Sequence, residues 1–329
     1  MRKNYDAIDI VKFIMAIIVI LVHTYPFYYY NETLGFISSN VIGRLVIPFY
    51  FTVSGYLFYK GLKKGQDKYY KNYIKKLIKL YIKWSLILLP FGLLFISKYT
   101  EINIITIVGY TIIGIFYSGT YYHLWYMIAL ILSIIIVYYL SKKLNIKYIL
   151  LIGFILQIIG LTETYFGLFS NTMLSGILES YYNTFYTSRN FLFFALFYVS
   201  LGCYIYEYQR NIKYLFSKCI ILLIVLVSEG FIVKHYQVAL DYNMYITNIL
   251  LTYYFVNYLL NIELHLNINY INLRIYGVLL YFSHGIFLEL IPLLFNDLYT
   301  NYGSFRFFSV TICSFITSYI IKKYYKGLF

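Results

Sequence analysis

Charge is the scarcest commodity in this chain. Only 12% of its 329 residues are Asp, Glu, Lys or Arg, where a soluble globular domain carries about a quarter. A water-facing shell cannot be assembled from so few charged residues, which excludes a soluble enzyme. Four prolines exclude a proline-rich linker. Three cysteines, Cys203, Cys219 and Cys313, lie in apolar segments without metal-ligand spacing and imply buried thiols, not a disulfide framework. Phosphate-cradling glycine loops, paired zinc ligands and a Gly-x-Ser-x-Gly elbow are missing as well. Acidic residues number 13 against 27 Lys and Arg, a net charge of +14.

What remains is apolar: 61% hydrophobic, 22% aromatic, mean hydropathy +0.69. Apolar runs of bilayer length, ~17–25 residues, recur between short polar gaps. They predict an all-α, polytopic membrane protein in which 1–329 form a single transmembrane domain of about ten helices. The expected spans are 8–28, 41–59, 77–97, 123–141, 147–168, 190–206, 216–234, 244–260, 274–295 and 303–321. The shorter apolar piece 102–117 is expected to be interfacial or re-entrant. The N-terminal run is expected to be a retained first span, because Asp6, Asp9 and Lys12 interrupt it and no cleavage signal follows.

Charge then orients the helices. Ten spans place the loops 60–76, 142–147, 207–215 and 261–273 and both termini on one side. That side holds Arg2, Lys3, Lys60, Lys63, Lys64, Lys68, Lys71, Lys75, Lys76, Lys142, Lys143, Lys147, Arg210, Lys213, Lys322, Lys323 and Lys326. The other side keeps Lys98, Arg189, Lys234 and Arg306. By the positive-inside rule both termini are cytoplasmic, and the excess of positive charge reflects topology instead of nucleic-acid binding. The expected location is a cell membrane, crossed many times, the bacterial cytoplasmic membrane in particular.

Against this background the ionisable residues inside spans stand out, since each costs roughly 2.5–3.5 kcal/mol on insertion scales. Lys12 and His23 share the first span, eleven residues apart. On a helix they lie about 20° apart in azimuth and ~16 Å apart along the axis. His23 is a candidate general base or acyl acceptor. Lys12 can bind an anion, or reach the inner interface beside Asp9. Glu229, in Leu-Val-Ser-Glu-Gly, is the costliest to explain without a function. Arg44, His123, Trp125, Arg189 and His284 are the further polar or interfacial candidates. Trp125 and Tyr126 also fit an aromatic belt at the membrane surface, and His284 fits a core hydrogen bond equally well. No metal site is expected. The Lys60–Lys83 run is chiefly a topology signal, with a secondary attraction for anionic lipid or cofactor phosphates.

These residues resemble those of the acyltransferase type three family, integral membrane O-acyltransferases. The resemblance rests on Ile8-Asp9-Ile10-Val11-Lys12-Phe13 followed by His23, similar to that family's basic-residue-x10-His signature, with lysine in place of the commoner arginine. It extends over Arg44-Leu45-Val46-Ile47-Pro48-Phe49-Tyr50-Phe51-Thr52-Val53-Ser54-Gly55-Tyr56, His123-Leu124-Trp125-Tyr126 and Arg189-Asn190-Phe191-Leu192-Phe193. It implies transfer of an acyl group, usually acetyl from acetyl-CoA, to an extracytoplasmic hydroxyl of a cell-envelope glycan or small hydroxyl or amino acceptor. It implies that His23 is catalytic and that Lys12 helps hold the donor; Glu229, able to set the protonation state of a neighbouring histidine, is a further catalytic candidate. It implies too that Arg44 and His123 line the acceptor side, and Trp125, Arg189 and His284 are further acceptor-binding candidates. Membrane lipid and envelope-synthesis proteins are the other implied partners, and no nucleic acid is. The membrane regions of certain vancomycin-resistance serine racemases look similar too, so a transporter or flippase of a sugar or amino acid is the alternative. A structural partner in an envelope-synthesis complex is a further rival.

Overall fold

The computed structural model describes residues 5–208, 211–264, 266 and 268–329. Arg2, Lys3 and Arg210, counted above for topology, lie outside them, as does the Lys326 side chain. The described residues are helical, with no strand among them. In chain order the α-helices are α1 Asp6–Thr24, α2 Glu32–Phe36, α3 Val46–Ile96, α4 Ile104–Ile113, α5 Trp125–Ser141, α6 Ile146–Leu161 and α7 Ser175–Phe185. They continue with α8 Leu196–Glu207, α9 Leu215–His235, α10 Ile246–Asn261, α11 Tyr270–Leu294, α12 Asn296–Asn301 and α13 Gly303–Tyr324. Short 3-10 or π turns precede α3, α5 and α8.

Among the described residues six helical stretches are long and apolar enough to cross a membrane: Asp6–Thr24, Glu32–Ile96, Ile104–Ser141, Leu215–His235, Tyr270–Leu294 and Gly303–Tyr324. Ile146–Leu161 and Phe191–Glu207 are shorter apolar helices. The expected spans 41–59 and 77–97 fall in one 65-residue stretch, ~98 Å long if fully helical against a hydrocarbon core of ~30 Å. Within α3 the backbone leaves helical geometry at Gln66 (φ 46°, ψ −139°). The lysine-rich segment surrounds that break, because solvated charge cannot continue an apolar stripe.

Local chemistry sets many helix ends. α1 begins with Asp6 and Asp9 in its first turn, where carboxylates favour the positive end of the helix dipole. It stops at Tyr25, in the left-handed conformation (φ 49°), just before Pro26. Asn103 accepts from Ile105 and Thr106 N–H to open α4, and Thr106 Oγ1 accepts in return from the Asn103 N–H. Asn145 and Asn269 open α6 and α11 in the same way.

The chain forms two compact units. The first comprises 1–39, 76–128 and 259–329. In it α1, α11 and α13 pack around Ala16, Ile20, Leu280, Leu288, Ile291 and Val310, all buried. Trp84 stacks on Phe282, centroids 4.9 Å apart. The second comprises 40–75 and 129–258. There the first arm of α3 and α8 meet backbone to backbone. A Cβ on Gly55 would collide with the Val199 carbonyl, and one on Gly202 with the Thr52 carbonyl. Small residues at such crossings let helices approach where lipid offers no hydrophobic drive to associate.

Candidate functional site

The three helical histidines that sequence singled out are brought together in the first unit. His23 sits near the C-terminal end of α1, half-buried. His284 lies mid-α11 and is 0% exposed. His123 lies in the 3-10 turn Tyr122–Leu124 and is 3% exposed. The His23 and His284 rings stack, with centroids 5.5 Å apart and planes 18° from parallel. His123 lies 4.6 Å from His284, centroid to centroid. Tyrosines wall the cluster: Tyr122 against His23 (5.1 Å), and Tyr121 and Tyr281 against His123 (5.2 and 5.3 Å). The Tyr281 hydroxyl donates to the His123 carbonyl at 2.7 Å, fixing the turn to α11.

Gly285 makes this possible. A Cβ there would lie 2.6 Å from His123 Cε1 and 2.8 Å from Tyr121 Cε1, closer than carbon atoms pack. Beside the histidines stands Glu289, a buried carboxylate that sequence reasoning passed over. It accepts from the Tyr121 hydroxyl at 2.9 Å and pairs with Lys98 at 2.6 Å. Trp125, half-buried, opens α5 directly after the His123 turn.

Lys12 shares α1 with His23, as its spacing predicts. Its electrostatic neighbours are Asp9 and Arg274, and Arg274 faces Asp9 at 3.9 Å. The N-terminal part of α1 thus carries two cations around one carboxylate. Arg274 was not anticipated. Among the described residues no group of three or more His, Cys, Asp or Glu is placed to hold a metal.

The remaining candidates belong to the second unit. Arg44 and Arg189, 145 positions apart, both face Asp241, at 3.8 and 3.7 Å. Those separations are ion-pair distances, too long for hydrogen bonds. Arg44 also donates to Asn243 Oδ1 and Asn40 Oδ1, each at 2.9 Å. Asn243 in turn donates to Glu163, a buried carboxylate that accepts as well from Thr187 and from the Ser188 hydroxyl and N–H. Arg189 Nε reaches the same Thr187 hydroxyl at 3.3 Å. Two arginines and two carboxylates therefore form one balanced network.

Glu229 occupies a different position. It accepts from the Tyr165 hydroxyl and from the N–H groups of Ile246 (2.8 Å) and Thr247 (3.0 Å), the first residues of α10. Those are orphan donors of a helix start, so the carboxylate caps a helix other than its own. The cost of burying it, which drew attention in the sequence, is offset by these donors.

Known proteins resemble this chain at two levels. An amino-acid racemase of Enterococcus faecalis is 28% identical over 251 residues, 74% of this chain and 34% of that protein. A serine/alanine racemase of Enterococcus gallinarum is 27% identical over 205 residues, 61% of this chain and 29% of that one. The chain thus spans about a third of the length of the curated relatives it matches. No solved structure matches it. The family match covers residues 5–323, nearly the whole chain, and by it the protein belongs to the Acyl_transf_3 acyltransferase domain family.

Proposed function

We propose that this membrane acyltransferase moves an acyl group, acetyl in the first instance, from acyl-CoA on the cytoplasmic side to a hydroxyl on the opposite side. The acceptor is a cell-envelope saccharide or a related small hydroxyl or amino compound. One observation carries the reading. His23, the one half-buried ring of the three-histidine cluster, shares a helix with Lys12, and a second cation, Arg274, stands at that helix's inner end. Phosphates of the donor would rest on Lys12 and Arg274, and the pantetheine arm would run ~16 Å along α1 to His23.

His23 then meets the thioester, either as general base or by carrying the acyl group itself. The acceptor oxygen bonds to the carbonyl carbon, the carbon–sulfur bond breaks, and the hydroxyl proton ends on the CoA thiolate. His123, His284 and Trp125 line the acceptor site. For Arg44 and Arg189 the proposal is confined to their own unit, where their Asp241 network would hold a polar group of an acceptor. Glu229 acts within its own unit by holding the start of α10.

About ten crossings with both termini cytoplasmic fit this direction of transfer. The 65-residue stretch is long enough for two passes, on either side of the Gln66 break, and the short apolar helices supply further ones. The membrane is the bacterial cytoplasmic membrane.

A second reading has its own support. The curated relatives are named racemases, which favours an amino acid as the ligand and transport or flipping as the task. Thiol release separates the two readings. Purified protein in lipid, given labelled acetyl-CoA, should liberate CoA, and His23→Ala should not. Undiminished transfer by His23→Ala removes that residue from the chemistry. Uptake of a labelled amino acid into sealed vesicles without thiol release establishes the transport reading.

A further inference from the structure

Three nitrogen atoms stand together inside the first unit with no hydrogen-bond partner among the described residues: His123 Nδ1, His123 Nε2 and His284 Nε2. Both rings are at least 97% buried, and buried polar atoms rarely go unsatisfied, because each costs roughly 1–3 kcal/mol. Something with hydrogen-bonding capacity belongs between them.

The backbone decides what that is. The Leu280 carbonyl, one turn before His284 on α11, lies 3.2 Å from Nδ1. A carbonyl only accepts, so Nδ1 carries the proton and Nε2 of the neutral ring is a bare lone pair. The missing partner of His284 must donate. A neutral His123 holds one N–H and one lone pair, so its partners must accept at one nitrogen and donate at the other. A carboxylate accepts only and cannot satisfy His284. An ammonium donates only and cannot satisfy the His123 N–H. A hydroxyl does both, its one proton going to His284 Nε2 while its oxygen accepts from the His123 N–H, which leaves the His123 lone pair to a second donor. The ring centroids lie only 4.6 Å apart, which brings the orphaned nitrogens of both rings to one place.

We infer that His123 and His284 bind a single neutral hydroxyl group of the acceptor, and that His284 Nε2 takes its proton during acyl transfer. The hydroxyl site stands on the tautomer and the orphaned nitrogens, whereas the acceptor as its source and the proton step rest on the acyl-transfer reading. In that step the acceptor oxygen forms its bond to the acyl carbon as its proton passes to Nε2. The carbon–sulfur bond breaks, and the thiolate recovers the proton from the His284 imidazolium. His284 ends neutral, with Nδ1 still on Leu280. The stacked His23 ring is left to meet the acyl group, which divides donor and acceptor work between two histidines of one cluster.

The test uses the full chain in lipid, with its five histidines labelled with nitrogen-15. Wild type should show one ring protonated at Nδ1 and bare at Nε2, a signal lost in His284→Gln. Glycerol, a neutral polyol probe, should shift that Nε2 signal, and betaine, which has neither hydroxyl nor other donor, should leave it in place. A His284 ring protonated at Nε2, or one unmoved by glycerol, overturns the hydroxyl site. Acetylation of glycerol from acetyl-CoA then tests the proton step. His284→Gln keeps an acceptor atom but no base, and should lower ester formation by about 100-fold or more. Equal rates in His284→Gln and wild type overturn the step. If wild type releases no thiol, the acyl-transfer reading and the proton step fall together, while the tautomer and glycerol arms still decide the site.

Discussion

The Glu289 carboxylate, 4% exposed, is paired at 2.6 Å with the Lys98 ammonium, whose side chain is 51% exposed. The two ends of this pair are unequal. Removing the lysine strands a buried charge on the Tyr121 hydroxyl alone, whereas neutralising the glutamate releases an ammonium that water already reaches. Breaking a fully buried pair costs about 3–5 kcal/mol, and solvent at the lysine end reduces that to ~1–3 kcal/mol here. Lys98→Ala should therefore unfold at a clearly lower temperature in detergent than Glu289→Gln. Combining the two should return the protein close to Glu289→Gln alone. A double variant as unstable as the sum of the singles would show that the two groups do not act on each other.

Gly285 is the second place where the cluster can be disturbed without touching a histidine. A methyl group there must displace the His123 and Tyr121 rings, which it would approach at 2.6 and 2.8 Å. Overpacking of this kind costs ~1–3 kcal/mol. Gly285→Ala should lose acyl transfer far more than it loses stability, because the rings must turn away from the positions in which they face His284. Wild-type turnover in that variant, measured beside its melting temperature, would place His123 outside the acceptor site.

Glu229 calls for the opposite balance of effects. Its oxygens meet two backbone N–H groups at the start of α10, so the charge acts as a helix cap supplied from α9. Glu229→Ala should cost ~2 kcal/mol and Glu229→Gln about 1 kcal/mol, the scale of a lost cap and of its charge alone. Tyr165→Phe should cost ~1 kcal/mol by removing one donor. These losses belong in unfolding curves. A Glu229→Gln protein of full stability that no longer transfers would return the residue to the chemistry.

Much of this was legible in the sequence, and the rest for definite reasons was not. Apolar run length located α1, α9, α11 and α13 because a membrane helix has to be apolar along its whole length. Lys12, His23 and His284 stood out because charge or imidazole is costly there. Glu289 obeys the same logic and was overlooked. Its partners, Lys98 and Tyr121, are remote in sequence, and tyrosine, at 44 copies, gives no positional signal. The meeting of Arg44 and Arg189 on Asp241 is tertiary, set by a loop residue that no periodicity marks. A cap delivered to α10 from another helix is equally invisible to local pattern.

The close crossing of α3 and α8 gives the last prediction, and it concerns shape only. Gly202 and Gly55 stand where each helix touches the other's backbone carbonyls, and a carbonyl cannot step aside as a side-chain tip can. Gly109, inside α4, has no heavy atom within 4 Å of the position a Cβ would take. The same substitution should therefore have opposite signs at the two sites. Gly202→Ala must separate α3 from α8 and should cost 2 kcal/mol or more, about the upper half of the overpacking range. Gly109→Ala, at an open interior helix position, should be neutral or stabilising by ~0.5–1 kcal/mol. Melting temperatures of the two variants in one detergent check both signs together. If Gly202→Ala is as stable as Gly109→Ala, the helices are not in backbone contact at this crossing, and the packing around Cys203, whose thiol lies 3.5 Å from the Gly55 carbonyl, must differ as well.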